Sequence, residues 1–166
     1  MQLHERLIAE FTQEVGSTKR VLERVPEEKL SWKPHPKSMS LGQLAMHVAN
    51  VPGGVATLAS QLVAEVPVVP LHEATSREEL FAVLEQSAAT AINFLNEWGD
   101  AGLDAEWRMT MNGQTLLTMP RYQMIRSIML NHWYHHRGEL IVYLRLLDVP
   151  VPGIYGPSAD ENPFAS

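Results

Sequence analysis

The sequence contains no cysteine. That removes disulfide support, thiolate metal ligands and a cysteine nucleophile together. A metal site could therefore use only His, Asp, Glu or water, donors that suit zinc, nickel, iron or manganese better than copper(I) or an iron–sulfur cluster. Basic residues are also scarce, with 13 Lys+Arg against 19 Asp+Glu and a formal net charge of −6. No cluster of Lys and Arg supplies the basic face that a nucleic-acid backbone requires. No apolar run approaches the ~20 residues needed to cross a bilayer. The opening Met1-Gln2-Leu3-His4-Glu5-Arg6 lacks the charged and then apolar regions of a signal peptide. These absences exclude nucleic acid and membrane as expected partners and leave the cytoplasm as the expected location. The 166 residues suffice for one domain, residues 1–166, with a sizeable core.

Apolar residues recur at three- and four-residue spacing in four stretches, the signature of amphipathic helices. Helix 1 is predicted from Leu3 to about Arg24, stopped by Pro26, with His4 at the surface. The connector Glu27–Ser38 should be extended because of its X-Pro steps, with Trp32 on the bundle and His35 in solvent. Helix 2 starts at Ser40, where Ser40-Leu41-Gly42-Gln43 fits a capping box, and its apolar stripe runs from Leu44 to Leu62. Pro52-Gly53-Gly54 should kink or locally unwind it. Val66–His72 reads as a loop that leaves His72 exposed. Helix 3 starts at Ser76 and is closed by Gly99. Glu106–Met119 reads as two short strands about Asn112-Gly113, a hairpin that could cover the mouth of a site. Helix 4 runs from about Pro120 to Leu147, and an irregular tail follows to Pro163, tied down through Ile154 and Tyr155. The predicted fold is all-α: a four-helix bundle with a short β-hairpin between helices 3 and 4.

The stretch Asn131-His132-Trp133-Tyr134-His135-His136-Arg137-Gly138-Glu139 lies within helix 4. An α-helix advances about 100° and 1.5 Å per residue, so His132 and His136 project from one face, about 6 Å apart along the axis. That face also carries Ile125, Met129, Leu140, Tyr143 and Leu147, and should point into the protein. Imidazoles directed into a core need partners, which could be a carboxylate, a backbone carbonyl or a metal ion. His47 sits at the edge of the apolar stripe of helix 2. In a four-helix bundle, inward side chains on facing helices build metal sites, and His47, His132 and His136 would supply three nitrogens. Three ligands leave positions open for water or substrate, as in catalytic sites. Glu139, three residues after His136 and four after His135, can meet either. It reads as an acceptor orienting a ligand imidazole or a general base, or as a surface carboxylate. His135 faces about 60° away from His132 and reads as a flanking structural residue or a proton shuttle. Tyr143 is the best aromatic candidate for a pocket wall.

Taken together, helix 1, the Trp32–Pro34 connector, the helix 2 histidine, the hairpin and His132-x-x-x-His136-Arg137-Gly138 resemble the DinB-like bundles. The tail Tyr155-Gly156-Pro157-Ser158-Ala159-Asp160-Glu161 looks like that of one subgroup. The resemblance implies an up-down-down-up bundle, often a homodimer, that binds a divalent metal through residues matching His47, His132 and His136. Some relatives are bacillithiol transferases or a mycothiol-dependent maleylpyruvate isomerase, so a low-molecular-weight thiol is an implied cofactor. Where relatives commonly carry Gln after Arg-Gly, this chain has Glu139. The expected function is a metal-dependent enzyme, with zinc or nickel favoured over iron or manganese. The ion would activate water or an external thiol toward a small electrophilic molecule, giving hydrolysis or thiol transfer. The alternatives are a non-catalytic metal-binding stress-response bundle and a protein-interaction bundle.

Overall fold

The computed structural model describes residues 1–162 and residue 164. In chain order come α1 (Leu3–Leu22), a 3-10 turn (Glu27–Lys29), α2 (Leu41–Ser60), β1 (Val63–Glu65), α3 (Arg77–Asp104), β2 (Glu106–Met111) and β3 (Gln114–Pro120). A fourth helical stretch, residues 121–146, closes the bundle. It begins as α4 (Arg121–Met124), widens to a π-helical register over Ile125–Asn131 and tightens again as α5 (His132–Leu146). The four predicted helices and the hairpin between the third and fourth are present.

Cross-helix contacts define the directions. Gly42, Gly53 and Ala59 on α2 lie near Ala74, Ser87 and, through Arg121, Gly102, so α2 and α3 run parallel. Leu3 meets Asp100 and Lys19 meets Glu85, so α1 is antiparallel to α3. His132 meets His47 and Tyr143 meets Met39, so α5 is antiparallel to α2. The result is the up-down-down-up arrangement. Its core is built from residues such as Phe11, Leu22, Leu44, Val48, Leu84, Leu95, Trp133 and Leu140, all essentially withdrawn from solvent.

The caps follow the sequence. Gln43 N–H donates to Ser40 Oγ (3.1 Å), and Ser40 N–H donates back to Gln43 Oε1 (2.9 Å). Ser76 Oγ accepts from Glu79 N–H at 3.1 Å. Asn112 and Gly113 both take positive φ (52° and 76°), as a two-residue type I′ hairpin turn demands.

Several expectations are corrected. Helix 2 stops at Ser60, and Val63–Glu65 forms a third strand, parallel to β2 and giving the order β1-β2-β3. Three residues are too short to show a period-2 pattern. Gly99 breaks helix 3 (φ 52°) without closing it, and helix resumes to Asp104. The break delivers the Asp100 carboxylate to the start of α1, where it accepts from Leu3 N–H and His4 N–H at 3.1 and 2.9 Å. Those bonds and the His4 ring hold Asp100 down at about 2. His4, expected at the surface, is therefore mostly covered and sits 2.7 Å from Asp100. Pro52 does not unwind α2, which runs unbroken from Leu41 to Ser60. The tail is tied by Tyr155 and also by Asp160 and Glu161, which pair with Arg145 and Arg20. Its expected last residue, Pro163, lies outside the described residues.

Candidate metal centre

Pro52 shapes the site although it leaves α2 intact. Proline has no N–H, so the carbonyl four residues earlier, that of Val48, lacks its helical donor. Trp133 Nε1–H donates to that carbonyl at 2.8 Å. One residue on, Gly53 N–H donates to Ser87 Oγ at 2.7 Å rather than only along the helix. The proline thus frees polar groups on two sides of α2, one docking the fourth helix and the other docking α3. Val48 and Trp133 are the chain neighbours of His47 and His132, so the first bond sets the spacing of those histidines.

The structure brings His47, His132 and His136 together. His136 Nε2 lies 2.7 Å from His132 Nε2, and His47 Nε2 lies 3.5 Å from His132 Nε2. The ring centroids are 4.5 to 5.3 Å apart. Two nitrogens each about 2.05 Å from a tetrahedral zinc are about 3.3 Å apart, so these two separations lie on either side of that value. All three rings are half-buried, and this cluster could hold a metal ion.

The electrostatics favour neutral imidazoles. Burial, then the neighbouring His136 and His132, lowers the His47 pKa to about 4. Burial and His136 also push His132 down, while a hydrogen bond with the Ile128 backbone acts in the opposite direction. Neutral imidazole is the metal-ligating form.

Glu139 touches both neighbouring histidines. Its Oε2 is 2.7 Å from His136 Nδ1, and its Oε1 is 3.2 Å from His135 Nε2. A proton held at His136 Nδ1 by this carboxylate leaves Nε2 free to face the other two rings. The His135 side chain is 62% exposed and lies outside the cluster. Tyr143 does not form the expected pocket wall: its hydroxyl donates to Met39 O and its ring meets Trp32 edge-on.

Behind the histidines lies a charged pair that sequence reasoning did not find. Arg137 and Glu14, both buried, approach to 2.6 Å. Arg137 also donates to Thr18 Oγ1 and to the Tyr155 hydroxyl, which in turn donates to Glu14. The Arg-Gly dipeptide beside His136 was the available signal, but nothing local pointed to Glu14, more than 120 residues away.

His47 and His132 line one end of an open cleft of about 620 Å³ between α2, the 64–70 segment, β2 and the π-helical stretch. The covering wall is that segment, together with Met109 of β2, so one hairpin strand does border the site as the sequence reading allowed.

Comparison with known proteins places the chain in a family. The chain is 28% identical over 150 residues to "Uncharacterized protein YrdA" of Bacillus subtilis strain 168, covering 89% of this chain and 85% of that protein. Its fold matches a DinB-like protein from Bacillus cereus ATCC 10987 (TM-score 0.72, 24% identity, 91% of this chain and 97% of that one). It also matches the DinB-like protein YjoA from Bacillus subtilis (TM-score 0.68, 19% identity, 90% and 96%). A family model described as the DinB family covers residues 1–163, and the chain belongs to the DinB family.

Proposed function

We propose that the protein is a metal-dependent enzyme whose divalent ion is ligated by His47, His132 and His136. The observation that carries this reading is the convergence of three half-buried imidazole nitrogens from two helices at the end of a cleft. Three protein ligands leave coordination positions for exchangeable groups. Zinc or nickel suits an all-nitrogen set best, with iron or manganese as other candidates. A bound ion would supply Lewis acidity, lowering the pKa of water or of an external thiol. The chain has no thiol of its own.

The protein's own groups prepare that chemistry. Burial keeps His47 and His132 neutral at pH 7. Glu139 lies 2.7 Å from His136 Nδ1, where it would hold a proton and leave Nε2 to the ion. Its exposed edge, shared with His135, offers a route for a proton between the site and solvent. The reaction is hydrolysis or thiol transfer on a small electrophilic molecule.

Elemental analysis of untagged protein tests the assignment. About one divalent ion per chain is expected, and each of His47→Ala, His132→Ala and His136→Ala should lose it. Full metal content in any of the three variants would refute the ligand set. A second reading, a purely structural ion in a non-catalytic bundle, predicts full protein coordination and no exchangeable water.

A further inference from the structure

The cleft beside the histidines is lined mainly by apolar side chains. Val51, Val55 and Leu58 of α2 form its floor, Val68 and Pro70 one wall, and Ile128 another part of the rim. Its polar groups other than the histidines are Asn50, Thr57, Gln61 and Glu65, and no Lys or Arg lines it. Glu65 is already engaged. Its Oε2 accepts from Thr110 Oγ1 at 2.6 Å and its Oε1 from Asn112 N–H at 2.5 Å, which ties the strand β1 to the hairpin turn.

From this lining we infer that the cleft accepts an uncharged, largely apolar molecule, with its reacting end at His47 and His132 and its body along α2. The inference rests on the proposed role of the histidines for the direction in which the ligand lies. A carboxylate or phosphate lying along α2, away from the histidine end, would lose water without meeting a cation, and an unpaired charge withdrawn from water is strongly disfavoured. An ammonium would find a single carboxylate whose oxygens both accept hydrogen bonds already. A neutral molecule loses nothing comparable and gains contact with the valine and leucine surfaces. Its volume of about 620 Å³ is in the range of ordinary ligand sites. Asn50, three residues after His47 and therefore on the same side of α2, offers an amide to a polar group near the reacting end. A charged thiol partner would have to keep its charged portion outside this cleft, in solvent beyond the histidines.

The test uses three analogues sharing one apolar body: 2-naphthylacetamide, 2-naphthylacetate and 2-(2-naphthyl)ethylammonium. They are titrated into metal-free protein at pH 8 and followed by two-dimensional NMR, so that no ion can attract the acetate. The amide is expected to bind at least about tenfold more tightly than either charged analogue. Gly54 lines the cleft, and a Cβ there meets only the Asn50 amide nitrogen, at 3.7 Å. Gly54→Leu should therefore weaken amide binding about tenfold or more without lowering the melting temperature. Gln61 is exposed at the rim, and Gln61→Lys should raise acetate binding selectively. Equal or tighter binding of a charged analogue to the wild type, or no binding of the amide, would overturn the inference. Metal content is read separately, on the protein as purified and before any ion is stripped. Amide selectivity together with no metal in the purified protein would refute the enzyme reading alone, and about one ion per purified chain without amide selectivity would refute this inference alone.

Discussion

Trp133 Nε1 is 2.8 Å from the carbonyl oxygen of Val48, the one helical acceptor that Pro52 leaves without its donor. The bond joins the residues adjacent to His132 and His47, so a missing hydrogen in one helix fixes the approach of another. Trp133→Phe keeps the ring contact with Phe11 and orphans a buried carbonyl, a cost of about 1–3 kcal/mol. Pro52→Ala restores an N–H that can satisfy Val48. The double variant should thus be more stable than the sum of the two single changes implies, a coupling measurable by urea denaturation of all four proteins. Strict additivity would contradict the arrangement.

Glu139→Gln tests the orientation of His136. The amide can still accept from Nδ1–H, but without charge, and it can also present its NH2 to the ring. Metal affinity should fall about 10- to 100-fold, with little change in the thermal stability of metal-free protein because the side chain is 43% exposed. Competition with a chromophoric chelator would measure this, and an unchanged affinity would assign Glu139 to the surface.

The buried Arg137–Glu14 pair makes removal of one partner costly. Arg137→Met leaves a carboxylate at 6% exposure with the Tyr155 hydroxyl as its remaining hydrogen-bond donor. The loss should be about 3–5 kcal/mol. Combining it with Glu14→Leu should recover much of that loss, and denaturant midpoints of the two variants would show whether it does.

Acid should weaken the metal-free fold through His47. Its folded pKa, about 4, lies below the ordinary 6.5, so the unfolded chain binds more protons between those values. Stability is then full above about pH 6.5, declines as the pH falls through that window and levels off below about 4 as far as this group is concerned. His47→Gln should flatten the melting-temperature profile between pH 6.5 and 4. An identical slope in wild type and variant would assign the acid sensitivity elsewhere.

Adjacent glycines should respond oppositely to the same change. A Cβ on Gly53 would meet Ser87 Cα at 2.8 Å and Ser87 O at 3.0 Å, backbone atoms that cannot step aside. Gly53→Ala should destabilise by about 1–3 kcal/mol. Gly54 has no such neighbour, and Gly54→Ala should stabilise by about 0.5–1 kcal/mol. Calorimetric melting of the two variants decides it.

The helices were legible because their apolar residues repeat over four or five turns, long enough for the period to dominate. The Ser40 and Ser76 caps and the Asn112-Gly113 turn were legible because each is a local chemical requirement. His132 and His136 came from helical spacing, whereas joining His47 to them needed the family resemblance as well as its place on an apolar stripe. What escaped depends on contacts distant in sequence. Strand β1 exists because β2 is beside it, Asp100 matters because α1 starts there, and Glu14 is buried because Arg137 meets it. The π-helical register of Ile125–Asn131 is also invisible to a count of apolar positions, since it changes which carbonyl each N–H meets without changing composition.

The parallel course of α2 and α3 imposes a length constraint on the cleft wall. Having reached the sheet at the far end of α2, the chain must travel back along the whole bundle before α3 can begin. Val66 N–H is bonded to Thr110 O at the sheet, and Leu71 O accepts from Gln43 Nε2 near the first turn of α2. The five intervening steps reach at most about 18 Å, against about 25 Å of rise from Gln43 to the end of α2 at Ser60. This segment therefore covers a large share of the return beside α2, and Pro67 and Pro70 restrict its backbone there. That course is what sets Val69 and Pro70 beside His47. A deletion in the crossing would draw on the span that the parallel helix pair requires.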